Sequence, residues 1–400
     1  MSTSFVKSVL ASLLVVMLSV SCEKPESGLI IPDQGQNVDQ GQGGEDKPQQ
    51  EGALCTDIGQ TPIVLCYYTE YSEELPDINL VTHVNYAHGR FKDPANGDGG
   101  IVISNVSLMK KVVALKDKNP KLKVLLMIGG WGMAADGFSM MARDSKKRTT
   151  FCQSVKSLLE QYKLDGVDID WEYPTYSAEG TGAHQSDKYN FNLVLQELRE
   201  TLGTGKIISF ASSSSAKYVD WPEAIKYIDY VNVMTYDMGA APKAHNSPLY
   251  RSGTFNQTSA DESINLHVKA GVPLNRQNLG VPYYGKSEKN PAEKIYEYEV
   301  KYNEMESILE RNYYAKGNKD VTGKNIRKWD SVAKVPYLTD ESGRILLVYD
   351  DPESVEIKGK YVVSKGLLGA MCWEYRHDDA NHSLQKALVR GIYGKETILQ

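Results

Sequence analysis

The chain of 400 residues holds only 5 cysteines, and Cys55 and Cys66 alone lie close together in the sequence. A dense disulfide framework is therefore excluded; an oxidising compartment would let Cys55 and Cys66 pair, and buried free thiols are the alternative. Basic charge is also short. A net charge of -6 and an isoelectric point near 5.8, with no basic stripe, leave no electrostatic footprint for a phosphate backbone, so nucleic acid is not an expected partner. There is no His-Glu-x-x-His pair and no spaced Asp/Asn loop ending in Glu, so no dedicated metal site and no cofactor are expected. Phenylalanine is scarce as well, at 7 residues against 25 tyrosines. Strand-rich composition accounts for part of that imbalance, and rings with a polar tip also suit a surface that stacks on sugars.

What is present points to one large domain. With 41% hydrophobic residues the chain can bury a sizeable core, and an α/β barrel uses about 250 residues or more as a single domain. Apolar runs bounded by turn residues recur at 63–68, 80–86, 124–128, 167–173, 207–211, 230–236, 279–284 and 367–373, which predicts eight strands. Phe151, Val155, Leu158, Leu159 and Tyr162 keep helical spacing between the third and fourth runs, with Asp144 or Ser145 as the cap. Phe191, Val194, Leu195, Leu198 and Leu202 do so between the fourth and fifth, with Gly203 as the stop. Strand, helix, strand repetition with connections of this length implies parallel pairing, and eight such units close into a (β/α)8 TIM barrel of the α/β class.

The most informative segment is Asp165-Gly-Val-Asp168-Ile-Asp170-Trp-Glu172. Alternate positions of a strand face the same way, so Asp168, Asp170 and Glu172 share one face, and Val167, Ile169 and Trp171 take the other. In a parallel barrel the apolar face packs on helices while the acidic face looks inward. Acids this close, away from bulk water, push one another's pKa upward, so at least one holds a proton near neutral pH, as a general acid must. Two readings compete with a catalytic site. One is an ordinary half-exposed strand, which fits poorly because Asp and Glu are depleted in strands; the other is a site for magnesium or calcium, for which no helper ligands stand out.

These residues carry a resemblance. Asp165, Asp168, Asp170 and Glu172 resemble the Asp-x-x-Asp-x-Asp-x-Glu motif of glycoside hydrolase family 18, the chitinase family, and Trp171, Tyr173 and Pro174 sharpen it. Ile128-Gly-Gly-Trp131 is similar to that family's third-strand motif, Met234-Thr-Tyr-Asp237 to its sixth, Gly280-Val-Pro-Tyr-Tyr-Gly285 to its seventh and Gly366-Leu-Leu-Gly-Ala-Met-Cys-Trp373 to its eighth. The resemblance implies substrate-assisted hydrolysis of β-1,4-linked N-acetylglucosamine chains by a monomer, with chitin or a related glycan as partner. Glu172 would be the acid and base, Asp170 would orient the 2-acetamido group backed by Asp168, and Tyr236 would hold its oxygen. Trp373, Asp237, Met234, Tyr67, Trp131 and Tyr283 would contact substrate. Endo-β-N-acetylglucosaminidase action on N-glycan cores and a non-catalytic chitin-binding role are the alternatives, the second disfavoured by the intact Glu172. The stretch 286–348 resembles the small α+β insertion that some members carry between strands seven and eight.

Two positions depart from the family pattern. Met127 stands where Ser is frequent and Lys286 where Arg is frequent. Without that Ser, Asp168 is expected to lose a hydrogen-bond donor, become harder to ionise and carry the acidic limb of the pH-rate profile upward.

The N-terminus reads as an export signal over 1–21, with Lys7, an apolar stretch from Val9 to Val20, and Ser19 and Ser21 leading to Cys22. The stretch is too short to span a bilayer. Cys22 resembles a bacterial lipoprotein acylation site, giving a lipid-anchored enzyme at a membrane face, or a secreted one if Cys22 is not acylated. Residues 22–52, rich in Gln, Gly, Asp, Glu and Pro, are expected to form a disordered tether before a catalytic domain over 53–400.

Overall fold

The computed structural model describes residues 54–177, 181–253, 255–287, 299–304 and 326–399. The export signal, Cys22 and the tether lie outside them, as do residues 288–298 and 305–325 of the expected insertion.

Eight parallel strands form the centre: β1 (Ile63–Thr69), β2 (His83–Phe91), β4 (Lys123–Gly130), β5 (Gly166–Trp171), β6 (Ile207–Ser213), β7 (Tyr230–Met234), β8 (Gln277–Pro282) and β14 (Gly369–Trp373). Each pairs with the next in this order, and β1 pairs with both β14 and β2, so the sheet closes on itself. This is the (β/α)8 barrel that the alternation of apolar runs predicts. The short β3 (Ile101–Ile103) adds antiparallel to β2 and was not legible as a strand, since three residues carry no usable period.

Alternation along each strand splits the core in two. One set, including Val167, Ile169 and Trp171, packs outward with helical side chains such as Phe138, Phe151, Phe191 and Leu195. The other, including Leu65, Tyr67, Leu125, Met127, Tyr236 and Met371, fills the barrel interior. Helix Ser145–Gln161 begins where expected, with the Asp144 carboxylate accepting from the backbone N–H groups of Lys146 and Lys147, and helix Asp187–Leu202 stops at Gly203, whose φ is 61°.

At the N-terminal end of the strands, Asp229 gathers the chain. Its Oδ2 accepts from Arg199 Nη2 at 2.6 Å and from the Ile208 N–H at 2.7 Å, and its Oδ1 from the Cys55 N–H at 2.6 Å. Both side chains of the ion pair are buried, so either one alone would be an uncompensated charge. Cys55, Cys66, Cys152 and Cys372 are all free thiols, which settles the pairing question between Cys55 and Cys66 in favour of no bridge.

Between β8 and β14 the chain forms a second, antiparallel sheet from β9 (Tyr284–Ser287), β10 (Glu299–Lys301), β11 (Ile326–Asp330), β12 (Val335–Thr339) and β13 (Ile345–Val348), in the order β10-β9-β13-β12-β11. Its first strand starts two residues beyond β8, so the seventh apolar run, read as one strand over 279–284, is two strands meeting at Tyr283.

Candidate active site

The acidic run folds as its spacing dictates. Trp171 stacks on Phe138 at 5.3 Å and meets Phe191 edge-on at 5.6 Å outside the barrel, which turns Asp168 and Asp170 inward. Glu172 follows directly after the last residue of β5. The strands thus deliver the acids in a ladder, from the closed interior at Asp168 to the open C-terminal mouth at Glu172.

Asp168 is fully buried and held by side chains from three other strands of the barrel, β6, β7 and β1. Its Oδ1 accepts from Ser209 Oγ at 2.5 Å and Asn232 Nδ2 at 3.0 Å, and its Oδ2 from Tyr67 Oη at 2.7 Å. Burial nevertheless wins, raising its pKa to about 6 while those donors pull the other way. Burial, not the residue at 127, is what raises it, and the effect expected of Met127 is left to the pH profile. Met127 pairs in register with Asp168 from one side, and Ser209 pairs with it from the other and supplies a hydroxyl.

Asp170 has no such support. It is buried, its Oδ1 finds no hydrogen-bond partner among the described residues, and burial followed by the charges of Glu172 and Asp168 holds its pKa well above the carboxylate range. Glu172 is pushed up to about 7, first by burial, with a hydrogen bond from Tyr173 opposing and the charge of Asp237 assisting. A carboxylic acid that titrates near neutrality is suited both to give and to take a proton. Burial likewise keeps the Tyr236 hydroxyl well above its usual range, so it stays protonated as a donor.

Above this ladder lies a pocket of about 820 Å³. Glu172, Asp170, Tyr236, Asp237, Met234, Tyr67, Trp131 and Trp373 all line it, so eight of the ten residues singled out in the sequence converge on one cavity. Asp168 does not line it but accepts a hydrogen bond from Tyr67, which does and which also packs on Trp373 at 5.5 Å between ring centres. Trp131 is half-exposed at the rim, beside Tyr173 at 6.3 Å.

Tyr283 is elsewhere. It shares the parity of Leu279 and Val281, which pack outward, and its hydroxyl donates to Gln385 Oε1 at 2.7 Å. The pocket residue is its neighbour Tyr284, whose hydroxyl donates to Asp237 Oδ1 at 2.7 Å. Counting alternation forward from the inward-facing Asn278 and Gly280 would have found it. Lys286, noted as a departure, lines the same wall with its ammonium 2.7 Å from Asp237 Oδ1. Tyr176, Tyr218, Ser213, Ser214 and His88 are further lining residues that sequence reasoning passed over. Ser213 ends β6, and the others lie on loops or at a strand irregularity, where periodicity carries no signal. Tyr173 and Tyr218 stack face to face at 4.6 Å. Among the described residues no three His, Cys, Asp or Glu side chains are grouped as metal ligands would be.

A profile described as "Glycosyl hydrolases family 18" matches residues 63–378. Chitinase A1 of Niallia circulans is 34% identical over 325 residues, 72% of this chain and 44% of that protein, so the chain spans less than half the length of this relative. Chitotriosidase-1 of Mus musculus is 30% identical over 365 residues, 82% of this chain and 75% of that protein. Among solved structures, the Group IV chitinase of Ostrinia furnacalis superposes with a TM-score of 0.70 at 27% identity, covering 82% of this chain and 99% of that one. A family 18 N-acetylglucosaminidase of Paenibacillus barengoltzii does so at 0.68 and 31% identity, covering 82% and 99%. Fold, acidic ladder and these likenesses agree, and the chain belongs to glycosyl hydrolases family 18.

Proposed function

We propose that the protein hydrolyses β-1,4-linked N-acetylglucosamine chains, chitin or chitooligosaccharides, with retention of configuration and with the substrate's own acetamido group as nucleophile. The observation that carries this reading is the contrast along β5. Glu172, its pKa pushed up to about 7 by burial, lines the pocket ready to protonate a leaving oxygen, whereas burial raises Asp170 well above the carboxylate range and Asp168 lies beneath the pocket. Asp168 does not line the pocket and burial disfavours Asp170 as an anion, so in this reading the acetamido carbonyl takes the part of the second carboxylate.

In this reading Glu172 donates its proton to the glycosidic oxygen and then accepts one from the incoming water. Asp170 binds the acetamido N–H, and positive charge building on the ring lets it ionise as the intermediate forms, its proton passing toward Asp168. Tyr236 donates to the acetamido oxygen. Trp373 and Tyr67 form the floor, with Met234 and the Asp237–Lys286–Tyr284 group as one wall. Chitinases recur among the relatives, one solved in complex with allosamidin, and this supports the substrate class.

The test is a product profile on chitin oligomers and on a high-mannose glycoprotein with the wild type and Glu172→Gln. Cleavage of the oligomers with β-anomeric products, abolished with binding retained in Glu172→Gln, is the expected result; persistent cleavage removes Glu172 from its role, and release of the glycan alone moves the substrate to N-glycan cores. Export and acylation of Cys22 are proposed on the sequence alone, with detergent partitioning of the expressed protein and of Cys22→Ala as the check.

A further inference from the structure

One pocket residue has no part in the chemistry above. His88 lines the cavity with Asp170, Gly130 and Trp131. The register of β2 against β4 slips between Ala87, opposite Met127, and Gly89, opposite Ile128, so His88 is the extra residue of a β-bulge. A bulge re-aims the side chain it carries, and here it turns an imidazole into a barrel mouth.

The ring is fixed from behind. Its Nδ1 lies 2.5 Å from Glu70 Oε2, and the other carboxylate oxygen of Glu70 accepts from Arg90 Nη2 at 3.0 Å. The Glu70 N–H donates to the Ala87 carbonyl at 2.8 Å, and the Ser104 N–H to the His88 carbonyl at 2.9 Å, so both the bulge and its buttress are pinned. Although burial opposes it, the bonds from His88 and Arg90 lower the Glu70 pKa to about 2 and keep it a carboxylate. An ionised Glu70 accepts a hydrogen bond from Nδ1–H, so Nε2 is the ring atom left for the pocket; no described residue bonds to it, and it is not among the sealed polar atoms.

We propose that His88 is a specificity-determining contact, its Nε2 hydrogen-bonding a hydroxyl of the sugar unit seated beside Trp131 and Asp170, with Glu70 and Arg90 as positioning residues. The inference rests on the proposed hydrolysis of N-acetylglucosamine chains. A hydroxyl is the matching group because it both gives and accepts a hydrogen bond and so satisfies Nε2 in either state of the ring. The arrangement is that of a histidine oriented by a carboxylate, used here to read a substrate rather than to move a catalytic proton.

The experiment compares wild type, His88→Phe, His88→Gln and Glu70→Gln on a chitooligosaccharide and on analogues in which single sugar hydroxyls are replaced by hydrogen, with melting temperatures measured alongside. His88→Phe is expected to lose roughly tenfold to a hundredfold in kcat/KM on the parent oligomer, and His88→Gln, which keeps a polar tip, to recover part of it. Glu70→Gln should fall between, mainly through KM. On one analogue the penalty of His88→Phe should vanish, which names the hydroxyl. If the wild type cleaves the oligomer and His88→Phe matches it within twofold, or loses the same factor on every analogue, the assignment of His88 is wrong while the hydrolytic reading stands. If the wild type cleaves nothing, calorimetric binding of the oligomer to Glu172→Gln and to Glu172→Gln/His88→Phe decides: equal binding, or none, overturns the contact.

Discussion

Ser209 on β6 donates its hydroxyl to Asp168 on β5 at 2.5 Å, from the flank of β5 away from β4, where the family pattern would place a serine. A donor absent at Met127 on β4 is thus supplied from β6, the neighbour on the other side of β5, and the carboxyl has three bonds.

A consequence is that the two neighbours of Asp168 should not be equivalent in a pH profile. Removing a donor to the charged form makes ionisation harder, so Ser209→Ala should move the acidic limb of kcat/KM, governed by a group near 6, upward by something approaching one unit. Met127→Ser should shift it little. A larger shift for Met127→Ser than for Ser209→Ala would mean that the position beside β4 controls the acid after all.

Glu172 must carry its proton to act as the acid, so kcat/KM should fall as pH rises through about 7. The charge of Asp237 contributes to that elevation, and Lys286 partly neutralises it at 2.7 Å. Asp237→Asn should therefore move the basic limb downward and Lys286→Met should move it upward. Opposed shifts in the two pH-rate profiles are the signature; movement in the same direction would break the electrostatic link.

How much of this was legible in the sequence follows from where periodicity applies. The barrel was readable because parallel strands buried on both faces give unbroken apolar runs, and Asp168, Asp170 and Glu172 because acids at alternate positions violate that pattern. Tyr283 was misplaced for a local reason: β8 ends at Pro282 and a new strand begins at Tyr284, so the choice between adjacent tyrosines depended on a parity that the motif alone does not give. His88 was invisible for a related reason, since a bulge breaks the period by which strand faces are assigned. Tyr176 and Tyr218 come together from separate loops, which only the closed barrel brings within 5.8 Å.

The acidic ladder should cost the fold stability. A carboxyl whose native pKa lies above its unfolded value of about 3.9 binds more protons when folded, so its favourable contribution is present below that value and is lost as pH rises through the native one. Asp170, raised chiefly by burial, is such a group. Asp170→Asn should accordingly be inactive yet more stable at pH 7 by about 1 to 2 kcal/mol, with a shallower fall in melting temperature between pH 5 and pH 8. Denaturant melts of the two proteins at several pH values provide the comparison, and a less stable variant at pH 7 would show that Asp170 is better accommodated as an anion than its missing partners suggest.

Gly129 in the Ile128-Gly129-Gly130-Trp131 run pairs in register with Asp170, and its φ is 108°. A Cβ built there would lie 2.1 Å from the Asp170 carbonyl oxygen and 2.9 Å from the Phe138 ring. Neither the backbone of the acid-bearing strand nor the aromatic stack outside it can yield that distance without displacing Asp170 or Glu172. The adjacent Gly130 is also at positive φ, but a Cβ there would meet side chains alone, the Ala134 methyl at 3.3 Å and His88 and Met127 at 3.7 Å. Gly129→Ala should therefore lose about 3 kcal/mol or more in stability, together with most of kcat, whereas Gly130→Ala should pay chiefly the strain of its backbone, about 1 to 2 kcal/mol. Thermal melts and single-turnover rates for the two alanine variants measure both quantities. If Gly130→Ala proved the more damaging to kcat, the contact between β4 and the acid strand would not be what holds the carboxylates in place.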